Sequence, residues 1–185
     1  DAKHSGALNR ELSMFNFKHP LILPVNNIFY EKDVAYIETP YIDGGTLRDW
    51  LTNGKQKTSV EIQNMIRLIA QAIDFLHSHG IVHCDLKPEN ILIKQNEYDG
   101  TCIPIICDFE LSRNTRNSTG VSTTRGGTMM YMSPERFETG HKPSTKSDVW
   151  SFGIIILELI SYPQVFSNHH VLTNIIFIIE CETME

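Results

Sequence analysis

Residues 81–93 read I-V-H-C-D-L-K-P-E-N-I-L-I, and every other part of the chain can be placed from them. Asp85 stands two residues before Lys87 and five before Asn90, with Pro88 between them. Proline lacks a donor N–H and restricts the residue before it, so the segment is expected to stay out of a helix and form a loop. The apolar pairs and triplets on either side, Ile81-Val82 and Ile91-Leu92-Ile93, read as short strands that pin its two ends. A carboxylate, a cation and an amide on a pinned loop suit catalysis, which needs rigidly held polar groups. The same residue types also make an ordinary surface turn, so the loop alone leaves both possibilities open.

Around this loop the sequence has the make-up of one globular unit: 185 residues, 41% hydrophobic and 21% charged. Sixteen basic against 22 acidic residues give a net charge of -6. No long basic run could follow a phosphate backbone, which argues against nucleic acid as a partner. Cys84, Cys102, Cys107 and Cys181 form neither a CxxC pair nor a zinc pattern, so free thiols in a reducing compartment are expected. No apolar run reaches the roughly 18 to 20 residues that a membrane span needs. A soluble, intracellular and cytoplasmic chain is the expectation. It begins Asp1-Ala2-Lys3 without a methionine, as a piece of a longer protein would.

In chain order, residues 7–17 carry Leu8, Leu12 and Phe15 at helical spacing and predict a short amphipathic helix. Two antiparallel strands are expected over 21–30 and 34–39, and residues 40–45, P-Y-I-D-G-G, break regular structure before a helical piece at 47–51. Ser59 as a cap, then Ile62, Met65, Ile66, Ile69, Ile73 and Leu76, predict a long helix closed by Gly80. A strand over 103–106 leads to Asp108-Phe109-Glu110. Residues 114–128 are polar and nearly free of apolar side chains. A strongly apolar helix over 147–160 follows, with Asp148 out of place near its start.

If the strands at 91–93 and 103–106 pair as a hairpin, Asn90 and Asp108 come together. One amide oxygen and one carboxylate would then suit Mg²⁺ shared with phosphate groups. Asp85 would be left to accept the proton of an attacking hydroxyl, and Lys87 to neutralise the phosphoryl group in flight. The chemistry these residues suggest is phosphoryl transfer.

Here the chain resembles the protein kinase superfamily, in its Ser/Thr branch, over about residues 7–162. H-C-D-L-K-P-E-N at 83–90 is similar to the catalytic loop, D-F-E at 108–110 to the magnesium-binding motif, and S-P-E at 133–135 to the close of the activation segment. D-V-W-S-F-G at 148–153 is similar to the start of the large buried helix. The resemblance implies an α+β protein-kinase-like fold: a partial small lobe of a helix and two or three strands over 1–39, a hinge at 40–45, a mainly helical, C-terminally truncated large lobe over 46–162, and an unassigned tail at 163–185.

It further implies Asp85 as catalytic base, Lys87 as phosphate contact, and Asn90 and Asp108 as metal ligands, with ATP and Mg²⁺ as cofactors and a protein as substrate. Thr39 would guard the back of the adenine pocket, the backbone of Pro40 and Ile42 would meet the adenine edge, and Leu92 would form the floor. Asp148 would hold the backbone of the catalytic loop, and Glu11 would pair with an ATP-binding lysine.

Three departures qualify the resemblance. Neither a GxGxxG loop nor a VAIK-like lysine precedes the first helix, and no arginine is found to pair Glu135. These 185 residues alone are therefore expected to be poorly stable and inactive, because a buried Glu135 without its arginine is costly. Cys84 stands where an arginine usually reads a phosphate on the activation segment, so dependence on phosphorylation near Ser122, Thr123 or Thr124 is expected to be weak. Glu110 replaces a glycine, which is expected to restrict the motif's flip between states. The alternative function is a pseudokinase or inactive truncated scaffold that binds partners without turnover.

Overall fold

The computed structural model describes residues 18–32, 34–96, 98–114, 128–137 and 141–161. The expected helix at 7–17 with Glu11, the Ser/Thr-rich residues 115–127 and the tail from 162 lie outside the described residues.

Strands β1 (Asn27–Glu31) and β2 (Val34–Glu38) form an antiparallel hairpin running from Asn27↔Glu38 to Glu31↔Val34. The first strand is shorter than its apolar pattern suggests. Leu21 and Ile22 leave the hairpin and are buried elsewhere, where Ile106 N–H donates to Leu21 O (2.9 Å) and Leu23 N–H to Ile106 O (2.9 Å). Pro24 has no N–H with which to extend either ladder, so the segment divides there.

Helix α1 (Leu47–Thr52) starts in a capping box. Asp49 N–H donates to Thr46 Oγ1 (3.1 Å), and Thr46 N–H donates back to Asp49 Oδ2 (2.8 Å). Helix α2 (Ser59–Ser78) repeats the device with Thr58 and Glu61, so Ser59 is the first helical residue and Thr58 the cap. Gly80, at φ 76°, turns the chain out of α2 in the left-handed conformation that glycine reaches at least cost. Met65, Ile69, Ala72, Ile73 and Leu76 line the buried face of α2 against the strands Ile81–Val82 and Cys102–Ile106 and the helix Thr145–Ser161.

β3 (Ile81–Val82) pairs with β6 (Arg113–Asn114), and β4 (Ile91–Gln95) with β5 (Cys102–Ile106), from Ile91↔Ile106 to Gln95↔Cys102. The last described helix, α3 (Thr145–Ser161), begins two residues before its predicted start. Ser147, Asp148, Ser151 and Glu158 are buried along it beside Ile154, Ile155 and Leu159, so part of its inward face holds loops rather than packing on apolar groups. The fold is mixed α+β, as expected. No described helix is long and apolar enough to cross a membrane.

The end of the 40–45 segment, from Gly44 to Gly45, lies against β4. Ile93 N–H donates to Gly45 O (2.8 Å), and a Cβ on Gly44 would collide with the carbonyl oxygen of Ile93. Gly44→Ala should therefore force the connection off β4 and lower stability by about 1–3 kcal/mol. Faster amide exchange at Ile93, with a lower melting temperature, would register the displacement; an unchanged melt would refute it.

Candidate active site

The loop between β3 and β4 is built as the sequence suggests, with one correction. Pro88 does not exclude all helical structure: Pro88–Asn90 form a single 3-10 turn with proline at its first position, where the missing N–H goes unmissed. The start of the loop hangs on α3. Asp148, 1% exposed, accepts from His83 N–H (2.8 Å, Oδ2), Cys84 N–H (2.9 Å, Oδ1) and His77 Nε2 (2.9 Å, Oδ2). This explains a carboxylate in a helix otherwise rich in apolar residues: it satisfies two buried backbone donors that no strand reaches. Cys84 sits at φ 71°, a conformation costly for a residue with a Cβ. It is held there by Asp148 on its N–H and by Arg136 Nη1 on its carbonyl (2.6 Å).

Downstream, the loop is clamped to the end of β5. Cys107 N–H donates to Asn90 O (3.0 Å), and His83 Nε2 donates to Cys107 O (3.0 Å) while His83 Nδ1 accepts from Asp85 N–H (3.3 Å). Asp108, the next residue, is exposed and adopts φ 62°. The β4–β5 hairpin thus brings the backbone of Asn90 alongside the turn that carries Asp108. Glu110 is exposed and is not among the left-handed residues, so the strain of this motif falls on Asp108 and not on the residue that replaces glycine.

Around Asp85 the polar groups converge. Its Oδ1 accepts from Thr128 N–H (2.9 Å); its Oδ2 accepts from Lys87 Nζ (2.8 Å) and Asn90 Nδ2 (3.2 Å). Asn90 Nδ2 also donates to Asp85 O (2.9 Å), and Lys87 Nζ to Thr128 Oγ1 (2.9 Å). Burial pushes the Asp85 carboxyl up, but the hydrogen bond from Lys87, the Thr128 N–H and the charge of Lys87 outweigh it and hold the group below its ordinary value. Asp85 is thereby kept ionised. Among the described residues Oδ1 takes one donor, which leaves a lone pair on it for a hydroxyl.

Asn90 spends its amide nitrogen on Asp85, which turns its Oδ1 the other way. Together with the exposed carboxylate of Asp108 this makes two hard oxygen donors. Among the described residues no group of three or more His, Cys, Asp or Glu side chains could hold a metal by itself. Such a pair fits a cation shared with phosphate oxygens and water, and does not fit an all-protein cage. Of the residues expected around the adenine, Thr39 is exposed, while Pro40, Ile42 and Leu92 are half-buried. Leu92 lies on the face of β4 opposite the buried Ile91 and Ile93.

One expectation is corrected. Glu135 is half-buried, and its Oε1 accepts from Ser133 Oγ (2.7 Å) and Ser147 Oγ (3.0 Å). Burial raises its carboxyl, but these bonds and the nearby His141 hold it below the ordinary value, so it is not an uncompensated charge.

A sequence profile described as Protein kinase domain matches residues 1–184. The chain belongs to the protein kinase family. It is 36% identical over 170 residues to the bifunctional serine/threonine-protein kinase/NEDD4-like E3 ubiquitin-protein ligase of Dictyostelium discoideum, covering 86% of this chain and 9% of that one. To the CBL-interacting serine/threonine-protein kinase 20 of Arabidopsis thaliana it is 34% identical over 157 residues, 83% of this chain and 34% of that one. To the calcium/calmodulin-dependent protein kinase type 1 of Caenorhabditis elegans it is 33% identical over 163 residues, 86% and 45% respectively. The kinase chain thus spans less than half the length of each of these relatives.

Sequence reasoning missed Arg48, His83, Arg136 and the part played by Thr128. Arg48 meets partners 41, 83 and 110 residues away, and Arg136 one 52 away, so no local spacing marks either. His83 lies inside the decisive stretch, and its complete burial is a property of the fold alone.

Proposed function

We propose that the chain is the catalytic part of a Ser/Thr protein kinase that transfers the γ-phosphate of ATP to a hydroxyl of a protein substrate. The observation that carries this is the Asp85 carboxylate, ionised and aimed by Lys87, Asn90 and Thr128 with one lone pair of Oδ1 left over. Family membership implies ATP with a divalent cation; Mg²⁺ is the specific reading, with Asn90 Oδ1 and the Asp108 carboxylate as its protein ligands. When bound, the cation would neutralise charge on the phosphate oxygens.

The chain's own groups do the rest. Asp85 Oδ1 orients the substrate hydroxyl and takes its proton as the oxygen attacks the γ-phosphorus, while the bond from that phosphorus to the ADP oxygen breaks. Lys87 Nζ, held between Asp85 and Thr128, stabilises charge on the phosphoryl group in flight. The names of the similar proteins, serine/threonine-protein kinases among them, support a serine or threonine acceptor. Residues 40–45 serve as the hinge, with adenine meeting the backbone of Pro40 (carbonyl only) and Ile42, Leu92 beneath and Thr39 behind. The Ile93–Gly45 hydrogen bond that lays this connection along β4 supports that placement.

The test is phosphate transfer by the intact protein with Mg-ATP and peptides carrying serine, threonine or tyrosine. Phosphoserine and phosphothreonine are expected, and chelation of the cation should stop their formation. A folded intact protein that modifies none of the peptides would refute the reading.

A further inference from the structure

Glu158 is a buried carboxylate that the mechanism does not use. Its side chain is 0% exposed in the last turn of α3. Oε1 accepts from Tyr131 OH (2.9 Å) and Arg48 Nη2 (2.9 Å), while Oε2 has no hydrogen-bond partner among the described residues. A buried acid with one oxygen unsatisfied is an expensive choice where an apolar side chain would pack. Arg48 shows where that expense leads. The same Nη2 reaches Tyr131 OH (2.5 Å), and Nε, on another edge of the planar guanidinium, donates to Glu89 Oε1 (2.9 Å). One side chain of α1 therefore joins α3 to two separate 3-10 turns, Pro88–Asn90 and Met129–Tyr131.

Those two turns flank Asp85. Glu89 precedes Asn90, whose Nδ2 bonds both Asp85 O and Oδ2. Tyr131 follows three residues after Thr128, whose N–H bonds Asp85 Oδ1. Each oxygen of the carboxylate is thus oriented by a group lying one or three residues from a partner of Arg48. Ser151 Oγ strengthens the second path by donating to Tyr131 O (2.6 Å). Lysine could not replace the arginine, because a single ammonium cannot present separate edges to Glu89 and to the Tyr131–Glu158 pair.

We propose that Arg48 is a positioning residue for phosphoryl transfer: anchored on Glu158, its guanidinium sets the aim of the Asp85 carboxylate through Glu89 and Asn90 on one side and Tyr131 and Thr128 on the other. This rests on the kinase reading above. Arg48 touches neither nucleotide nor substrate in this arrangement.

The test uses the intact protein. Arg48→Met alone would strand a buried charge, so the informative variant is Arg48→Met with Glu158→Leu, beside Arg48→Lys and Glu89→Gln, the last altering a side chain that is 45% exposed. The double variant should melt cooperatively, exchange its amides at 85–90 about tenfold faster with α2 unchanged, and lose about 10- to 100-fold in kcat with the KM for ATP within about twofold. Arg48→Lys should not restore kcat, and Glu89→Gln should lose about threefold. Unchanged exchange at 85–90 in the folded double variant overturns the proposal whatever kcat does. Faster exchange with kcat kept overturns it as well. If the double variant fails to fold, Glu89→Gln decides: parental exchange and kcat there overturn the proposal. Exchange needs no turnover, so if the parent protein transfers no phosphate the kinase reading falls while the exchange result still judges Arg48.

Discussion

Asp85→Asn in the intact protein is expected to lower kcat for phosphate transfer by about 10²- to 10⁴-fold, the usual contribution of a positioned general base. The amide keeps the size of the side chain. It cannot accept a proton at neutral pH, and its NH₂ must face one of the donors that now converge on Oδ1 and Oδ2. The KM for ATP should change little, because Asp85 addresses the hydroxyl and not the nucleotide. A variant that kept its turnover would remove Asp85 from the chemistry.

Stability should follow pH in the matching direction. The folded carboxyl lies below its unfolded value of about 3.9. Its stabilising contribution is then complete above about that pH and fades as the pH falls through the folded value. The melting temperatures of parent and variant should therefore differ at neutral pH and converge in acid.

The second large effect is on the fold. Asp148→Leu should lower stability by about 3–5 kcal/mol, because the backbone N–H groups of His83 and Cys84 are buried and each costs about 1–3 kcal/mol when left without an acceptor. For a chain of this size that is roughly 10 °C in melting temperature. Asp148→Asn should fall between parent and Leu, since one oxygen remains to accept while the NH₂ meets a donor head-on. If Asp148→Leu melted with the parent, the carboxylate would not be what holds the loop. Loss of Asp148 should also slow phosphate transfer, because it removes the acceptor that holds the Cys84 N–H, and with it the left-handed turn, just before Asp85.

Much of this fold is written in local pattern. The periodic apolar residues of α2, the pair Ile81-Val82, the run Ile91-Leu92-Ile93 and the apolar stretch of α3 each specify an element within a few residues of its observed bounds. The convergence of Asp85, Lys87 and Asn90 was legible too, since three polar residues within a stretch of six cannot lie far apart. What escaped was set by distant partners. Leu21 and Ile22 belong to an apolar run read as part of the first strand, yet Ile106 claims them away from the β1 hairpin. Glu135 lacks an arginine in the sequence, yet Ser133 and Ser147 serve it, the latter from the first turn of a helix. The left-handed conformations at Asp108 and Cys84 were not legible either, and at Cys84 the backbone is held by hydrogen bonds from distant Asp148 and Arg136.

The Asp148 anchor also bears on the order in which the molecule comes together. The β4–β5 hairpin closes between Gln95 and Cys102, a short loop, and α2 is local throughout. The bonds from Asp148 to His83 and Cys84 span 65 and 64 residues. Closing the longer loop costs more chain entropy and must wait for a formed helix at its far end. The loop from His83 to Asn90 is therefore among the last parts to reach its native shape on refolding and among the first to lose it under stress, so the polar cluster around Asp85 would come apart before the helical core melts.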